Sequence, residues 1–331
     1  MFHTIGVGSL QCVDEAGRAV FDEFFDLFDF KDIRRSLEKI AEMAKARQVD
    51  VLYLPSVGMF PITMFLSNLR VAPVQLAALG HAATTCSLRM DYMMLEGDLV
   101  GDPATFTEKL IRLENDAMPI VAPAAAQGLS LVPVLRRRPV TIEIAVCSTV
   151  MKLNPEFLLA CRVIADRCER AVRFQFFVGQ ALGLEWAQAD NFVKHYLGDR
   201  ASLHRHQPFG DYMHAICACD LFLSPFPYCN MNGIVDTASV GLVGICKTGP
   251  EVHEHIDEAL FARLGMPKWL VAGTIEEYVA AAVRLIQDEE LRLSIRQGLI
   301  ARKSFSKFFS GRPDLFGEAI KGLLRGRPED A

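Results

Sequence analysis

No apolar run in this sequence is long enough to cross a bilayer as a helix. The opening residues, MFHTIGVGSLQCVDEAG, lack a basic segment followed by an apolar one, so no secretory signal is expected. An excess of basic charge is missing too. The 35 Lys and Arg are outweighed by 40 Asp and Glu, for a net charge of −5, which argues against nucleic acid as the main partner. There is no internal repeat and no low-complexity tract. The nine cysteines are odd in number and scattered through apolar segments such as Ala145–Cys147 and Ile216–Cys219. Cys217 and Cys219 are too close together, and too short of partners, for zinc. Reduced, buried thiols in a cytoplasmic protein are the expectation, with no metal site. What is present is a chain of 331 residues, 51% apolar, enough for two domains with full cores.

Strand and helix signals alternate along the chain. His3–Ser9 reads as a short strand and turn. Residues 15–29 are acidic and Phe-rich, a loop with or without a second short strand. Ile33, Leu37, Ile40, Ala41 and Met43 recur at helical spacing and predict a helix over 32–47. Buried strands are expected at 49–54 and 92–95, with a helix at 62–69 between them. Residues 119–139, with four prolines and the basic triplet Arg136–Arg138, read as a solvated connection between domains. The alternation then restarts. A strand at 140–147 precedes a helix capped by Asn154 and opened by Pro155. A strand at 172–178 ends in the Gly179-Gln180 turn, and helices follow at 185–197, 211–219, 276–288 and 290–299. The tail 325–331 is polar and expected to fray.

The most informative stretch is CDLFLSPFPYCNMNGIVDTASVGLVGICKTGPEVHEHI, residues 219–256. It holds strand candidates at 220–224 and 243–246, a turn at 225–232, and a helix opening near Asn232 and Gly233. Strand, turn, helix, strand is one unit of a parallel sheet, and such a turn lies where doubly wound folds bind ligands. A helix amino end suits phosphate. Asn230 and Asn232 can cap it, and Gly233 lets a ligand approach the backbone. Asp236 falls one turn after Asn232, where a carboxylate can accept two hydrogen bonds from a ribose diol. On these residues alone, asparagines that only cap and an acid that is only a surface charge remain equally open.

Four runs narrow the choice: VQLAALGHAATTCS (74–87), STVMKLNP (148–155), FLSPFPYCNMNGIVD (222–236) and KTGPEVHEHIDEALFARLGMPKWL (247–270). They resemble glycosyltransferase family 41, and within it the bacterial cytoplasmic N-glucosyltransferases that modify high-molecular-weight adhesins. Protein O-GlcNAc transferase is a more distant relative. The resemblance implies an α/β GT-B fold, two Rossmann-like domains facing a cleft. They would be an acceptor-side domain over 1–138 and a UDP-sugar-binding domain over 139–305, with a helix and tail over 306–331. It implies transfer of glucose from UDP-glucose, or less well galactose from UDP-galactose, to asparagine in protein Asn-X-Ser/Thr sequons. The anomeric centre is inverted and neither metal nor cofactor is needed.

By the same resemblance Lys152 contacts the diphosphate, Thr149 lies beside it, and Asn232 with Gly233 meets the diphosphate at the helix start. Asp236 holds the ribose. Gln180 and His206 lie near the uridine, with His204 close enough to confuse the latter assignment. His81 faces the sugar and acceptor. His253 and His255, two apart, fall on different sides of a helix and are expected to order the loop around the nucleotide end, not to bind metal. The chain departs from the family at Ala82 (usually Pro), Cys86 (usually His) and Met231 (usually Thr). Its first domain also begins one strand-helix unit late, without the all-α domain that precedes it in the family. Two other readings stand beside transfer to asparagine: a UDP-sugar-binding module without transfer activity, and an O-linked transferase.

Overall fold

In the computed structural model, which describes residues 2–325, the chain's contacts divide it into two compact units. The first comprises Met1–Leu95 with Pro103–Arg112, and the second takes Glu96–Asp102 and the chain from Leu113 onward.

The first unit opens with a parallel pair, β1 (Ile5–Gly8) and β2 (Glu23–Asp26), joined through the short helix α1 (Glu15–Arg18). Helix α2 (Ile33–Ala46) starts at Asp32, whose carboxylate accepts the Arg35 N–H at 3.0 Å. It buries Ser36, Ile40 and Ala44, one stripe at four-residue spacing. Then come β3 (Val51–Leu54), α3 (Pro61–Leu66), β4 (Val74–Ala77), β5 (Tyr92–Glu96) and β6 (Lys109–Leu113). The sheet order is β3-β4-β5-β6, with β4 parallel to both β3 and β5. Strand β4 is buried at every position, including Gln75. Gln75 is tolerated there because its amide oxygen accepts from Val71 and Ala72 N–H while its amide nitrogen donates to Leu69 and Arg89 carbonyls.

The second unit runs β7 (Thr141–Cys147), α4 (Pro155–Arg167), β8 (Ala171–Phe177), α5 (Gly183–Leu197), β9 (Ala201–His204), α6 (Phe209–Cys217) and β10 (Leu221–Leu223). It continues with α7 (Met231–Ser239), β11 (Gly244–Lys247), α8 (Val252–Leu264), β12 (Val271–Ala272), α9 (Ile275–Gln287), α10 (Glu289–Ala301) and α11 (Asp314–Arg325). The six strands pair in parallel in the order β12-β11-β10-β7-β8-β9. The chain builds outward from β7 through β8 and β9. It then returns to the other side of β7 at β10. The order therefore reverses between β7 and β10, and doubly wound sheets bind ligands at the carboxyl ends of the strands at such a point.

Residues 113–138 group with the second unit, whereas the sequence placed the boundary at 138. The stretch is strapped down at several points. Ile120 N–H donates to the Phe308 carbonyl at 2.7 Å, and the Arg312 guanidinium holds Asp116 and Glu114. The basic triplet is not simply solvated. Arg136 makes a two-nitrogen ion pair with Asp220, which is 1% exposed and also accepts the Glu143 N–H at 2.9 Å. Asp220 begins the turn into β10, so Arg136 neutralises a carboxylate at the amino edge of the central strands. The expected tail at 325–331 falls, beyond its first residue, outside the described residues.

Breaking a buried pair by removing one partner costs about 3 kcal/mol because the other charge stays buried. Arg136→Met is expected to lower the urea midpoint correspondingly, with Asp220→Asn/Arg136→Met recovering part of the loss. An unchanged midpoint would show the pair to be idle.

Candidate functional site

The loop between β10 and α7 is fixed from four sides. Asn154 caps α4, accepting the Phe157 N–H at 3.0 Å, and its amide nitrogen donates to the Phe226 carbonyl at 2.6 Å. The Lys152 ammonium donates to the Cys229 carbonyl. Asn230 N–H donates to Asp257 at 2.7 Å, and the Ser224 hydroxyl donates to the same carboxylate. Tyr278, fully buried, donates to the Ser224 carbonyl at 2.9 Å. The Phe226–Pro227 peptide is cis. These contacts hold the start of α7 beside the end of β7, with Lys152 over it.

The roles of the small residues differ from what the sequence suggested. Asn230 occupies the N-cap position but its side chain makes no capping bond, and Asn232 lies inside the first turn, exposed. Gly233 is buried, and a Cβ there would run into the Cys147 carbonyl and the Asn230 amide. Its missing side chain lets α7 pack against β7, so the close approach it permits is by the protein's own backbone. The first-turn N–H groups of α7 still have no intrahelical partners and carry the positive end of the helix dipole.

Asp236 is half-buried, one helical turn beyond Asn232. The Tyr212 hydroxyl of α6 donates to its Oδ2 at 2.9 Å, while Oδ1 has no partner among the described residues. Burial raises the Asp236 pKa to about 6, against the lowering effect of the Tyr212 bond. Asp257 is also raised by burial to about 6, opposed by its Ser224 and Asn230 donors and by the nearby Lys152 charge.

Thr149 and Gln180 lie exposed just past β7 and β8, the latter after Gly179 in its positive-φ turn. The two histidines separate. His204, in β9, hydrogen-bonds Gln175 at 2.7 Å and stacks on Phe177 with ring centroids 4.4 Å apart, and burial lowers its pKa. It belongs to the sheet. His206, two residues on, is exposed beyond the strand end. His253 and His255 lie on helix α8, started by a Glu251/Glu254 capping box. His253 packs against Tyr228 at 5.4 Å, and His255 pairs with Glu258 at 3.3 Å. No three-ligand cluster of His, Cys, Asp or Glu occurs among the described residues. The structure thus brings Thr149, Lys152, Gln180, His206, Asn232, Gly233 and Asp236 to the carboxyl ends of the four adjacent strands β10, β7, β8 and β9. Asp257, Ser224, Tyr278 and Tyr212 were not singled out from sequence. Asp257 sits in EVHEHID, but nothing in that pattern marks which acid turns inward.

His81 belongs to the first unit and is described with it. Gly80 N–H donates to the Pro55 carbonyl at 2.8 Å, and a Cβ on Gly80 would strike that carbonyl. His81 is exposed, its ring lying against Gly58. The two threonines of GHAATT turn to Glu108, a buried acid that accepts from the Thr84 hydroxyl at 2.7 Å, the Thr85 N–H at 2.7 Å and the Thr85 hydroxyl. Glu108 fixes this loop, and no local sequence pattern announces it.

Two parallel α/β units, one with a six-stranded switch-point sheet, define the GT-B glycosyltransferase fold. A Thermobaculum terrenum O-GlcNAc transferase shares it with a TM-score of 0.77 at 20% identity, over 97% of this chain and 61% of that one. An Anabaena protein, HepE, solved with UDP and glucose, shares it with a TM-score of 0.53 at 13% identity, over 95% of this chain and 90% of that one. In sequence the chain is 44% identical over 319 residues to the UDP-glucose:protein N-beta-glucosyltransferase of Actinobacillus pleuropneumoniae serotype 7, covering 96% of this chain and 51% of the relative. The chain therefore spans about half the length of these curated Actinobacillus relatives. No protein-family model matches it.

Gly233→Ala should force α7 away from Cys147 and cost about 1–3 kcal/mol, as overpacking does. A thermal melt checks it, and an unaltered Tm would mean that the helix start is looser than its contacts indicate.

Proposed function

We propose that the second unit binds the UDP portion of a UDP-hexose, glucose by preference, and that the protein transfers the sugar to asparagine side chains in Asn-X-Ser/Thr sequons of an acceptor polypeptide such as an adhesin. The observation that carries this reading is the convergence of one ammonium, one helix amino end and one partly free carboxylate at the sheet's reversal point. The 44% identity to the Actinobacillus enzyme supports it. Lys152 and the α7 amino end face the diphosphate, with Thr149 and Asn232 adding hydrogen bonds. Asp236 Oδ1 accepts from the ribose diol, and Gln180 and His206 flank the uracil.

The acceptor nitrogen attacks the anomeric carbon opposite the leaving group and gives up one N–H proton to solvent. The bond to the β-phosphate oxygen breaks, inverting the centre, and the electron pair goes to UDP. The fixed Lys152 charge and the helix dipole meet the developing negative charge, the task a metal performs in other transferases. His81 is assigned to the acceptor side. The reaction needs no metal and no cofactor, and the setting is cytoplasmic. No helix among the described residues is long and apolar enough to cross a membrane.

Lys152→Ala should lower transfer by a factor of about 100–1000 with the fold retained, the usual cost of losing one transition-state charge contact. Mass spectrometry of a sequon peptide incubated with UDP-glucose reads it, and near-full activity would remove the leaving-group role. Because the chain spans only 51% of its relative, a UDP-sugar-binding module without transfer is the second reading. UDP binding with no hexose on the peptide would favour that module. Hexose on a Ser/Thr peptide lacking Asn would favour an O-linked transferase. Asp236→Ala should weaken UDP binding, and an unchanged Kd would take Asp236 out of the donor site.

A further inference from the structure

Asp236 is held by a feature that neither the motif nor the relatives' names describe. Its Oδ2 is engaged by the Tyr212 hydroxyl, and Tyr212 is itself fixed on three sides. The Tyr212 ring packs edge-on against Phe177 at 5.6 Å, and Phe209 approaches it at 6.1 Å. The Tyr212 hydroxyl also meets the Cys147 thiol. Phe177 is in turn clamped by the stacked His204 ring. Three strand ends and α6 thus aim one phenol at one carboxylate oxygen. We propose that Tyr212 is a positioning residue for donor binding. By occupying Oδ2 it sets the carboxylate plane and presents Oδ1, ionised, to the ribose diol. The inference rests on the donor-site reading of Asp236.

The chemistry of the surroundings gives the role a signature. Tyr212 and Cys147 are the titratable groups that face the carboxylate, from α6 and β7. Burial keeps both protonated: the Tyr212 pKa is pushed far above 10 and the Cys147 pKa well above 9. Tyr212 is therefore a permanent donor, and its bond favours the charged form of Asp236. Asp236 itself, raised to about 6, binds the diol well only above that pH. Donor affinity should fall as pH drops through this value. Losing the Tyr212 donor should move the fall to higher pH. If Tyr212 only filled space, replacing it with phenylalanine would leave the midpoint where it is.

The test is calorimetric binding of UDP-glucose, whose diphosphate has no group titrating near neutrality, across about pH 5 to 8. The proteins are the unsubstituted chain, Tyr212→Phe and Asp236→Asn. Tyr212→Phe should raise the midpoint by about one pH unit, which weakens binding about fivefold near the original midpoint and little at the alkaline end. A second arm places 3,5-difluorotyrosine at 212, a stronger donor of nearly the same shape, and should lower the midpoint. Equal midpoints in all the Tyr212 proteins would overturn the inference, as would a pH-independent loss in Tyr212→Phe. Asp236→Asn separates the two levels. If it leaves affinity and its pH profile unchanged, the donor reading of Asp236 has failed. If it weakens binding and flattens the profile while Tyr212→Phe shifts nothing, only the positioning role has failed.

Discussion

The candidate site depends on one constraint, the fixing of the β10–α7 loop over the end of β7. A helix amino end can serve an anion only if its first-turn N–H groups point at a defined place. The loop that leads into α7 carries two prolines and is not regular structure, so its shape has to be imposed from outside. Asn154 holds the Phe226 carbonyl, Lys152 the Cys229 carbonyl, Asp257 the Asn230 N–H, and Tyr278 the Ser224 carbonyl. The ties come from the β7–α4 connection, α8 and α9, so the position of the α7 amino end is a property of the whole second unit. The order of strands supplies the rest. Because the chain reverses between β7 and β10, no crossover helix covers the carboxyl ends of that pair from both sides.

Much of this was legible in the sequence, and the reasons are local. Asn154-Pro155 is a helix start because proline needs no N–H partner at the first position and asparagine supplies the cap. The strands at 141–147 and 171–177 begin with apolar residues alternating with Thr141, Glu143, Arg173 and Gln175, a period of two. The spacing of Asn232 and Asp236 survives as one face of α7. What failed did so where a residue's partner is distant in sequence. Arg136 looked like linker charge, yet it neutralises buried Asp220. Gly233 looked like room for a ligand, yet the room is taken by the Cys147 carbonyl. Glu108 and Asp257 are single acids in polar surroundings, and only folding shows that one organises the GHAATT turn and the other the α7 start. Periodicity and capping are written within a few residues of their effect, whereas satisfaction of a buried charge is not.

Two carboxylates with similarly raised pKa values, one buried and one half-buried, differ in what they have left to offer. Asp236 and Asp257 are both raised to about 6, in each case by burial first. The perturbation alone does not rank them. Their accessibility does. Asp257 spends one oxygen on the Ser224 hydroxyl and the other on the Asn230 N–H, and at 3% exposed it lies out of a ligand's reach. Asp236 spends Oδ2 on Tyr212 and keeps Oδ1 unpartnered among the described residues. Asp257 is thus the carboxylate that fixes the loop, and Asp236 is the one that keeps an oxygen open.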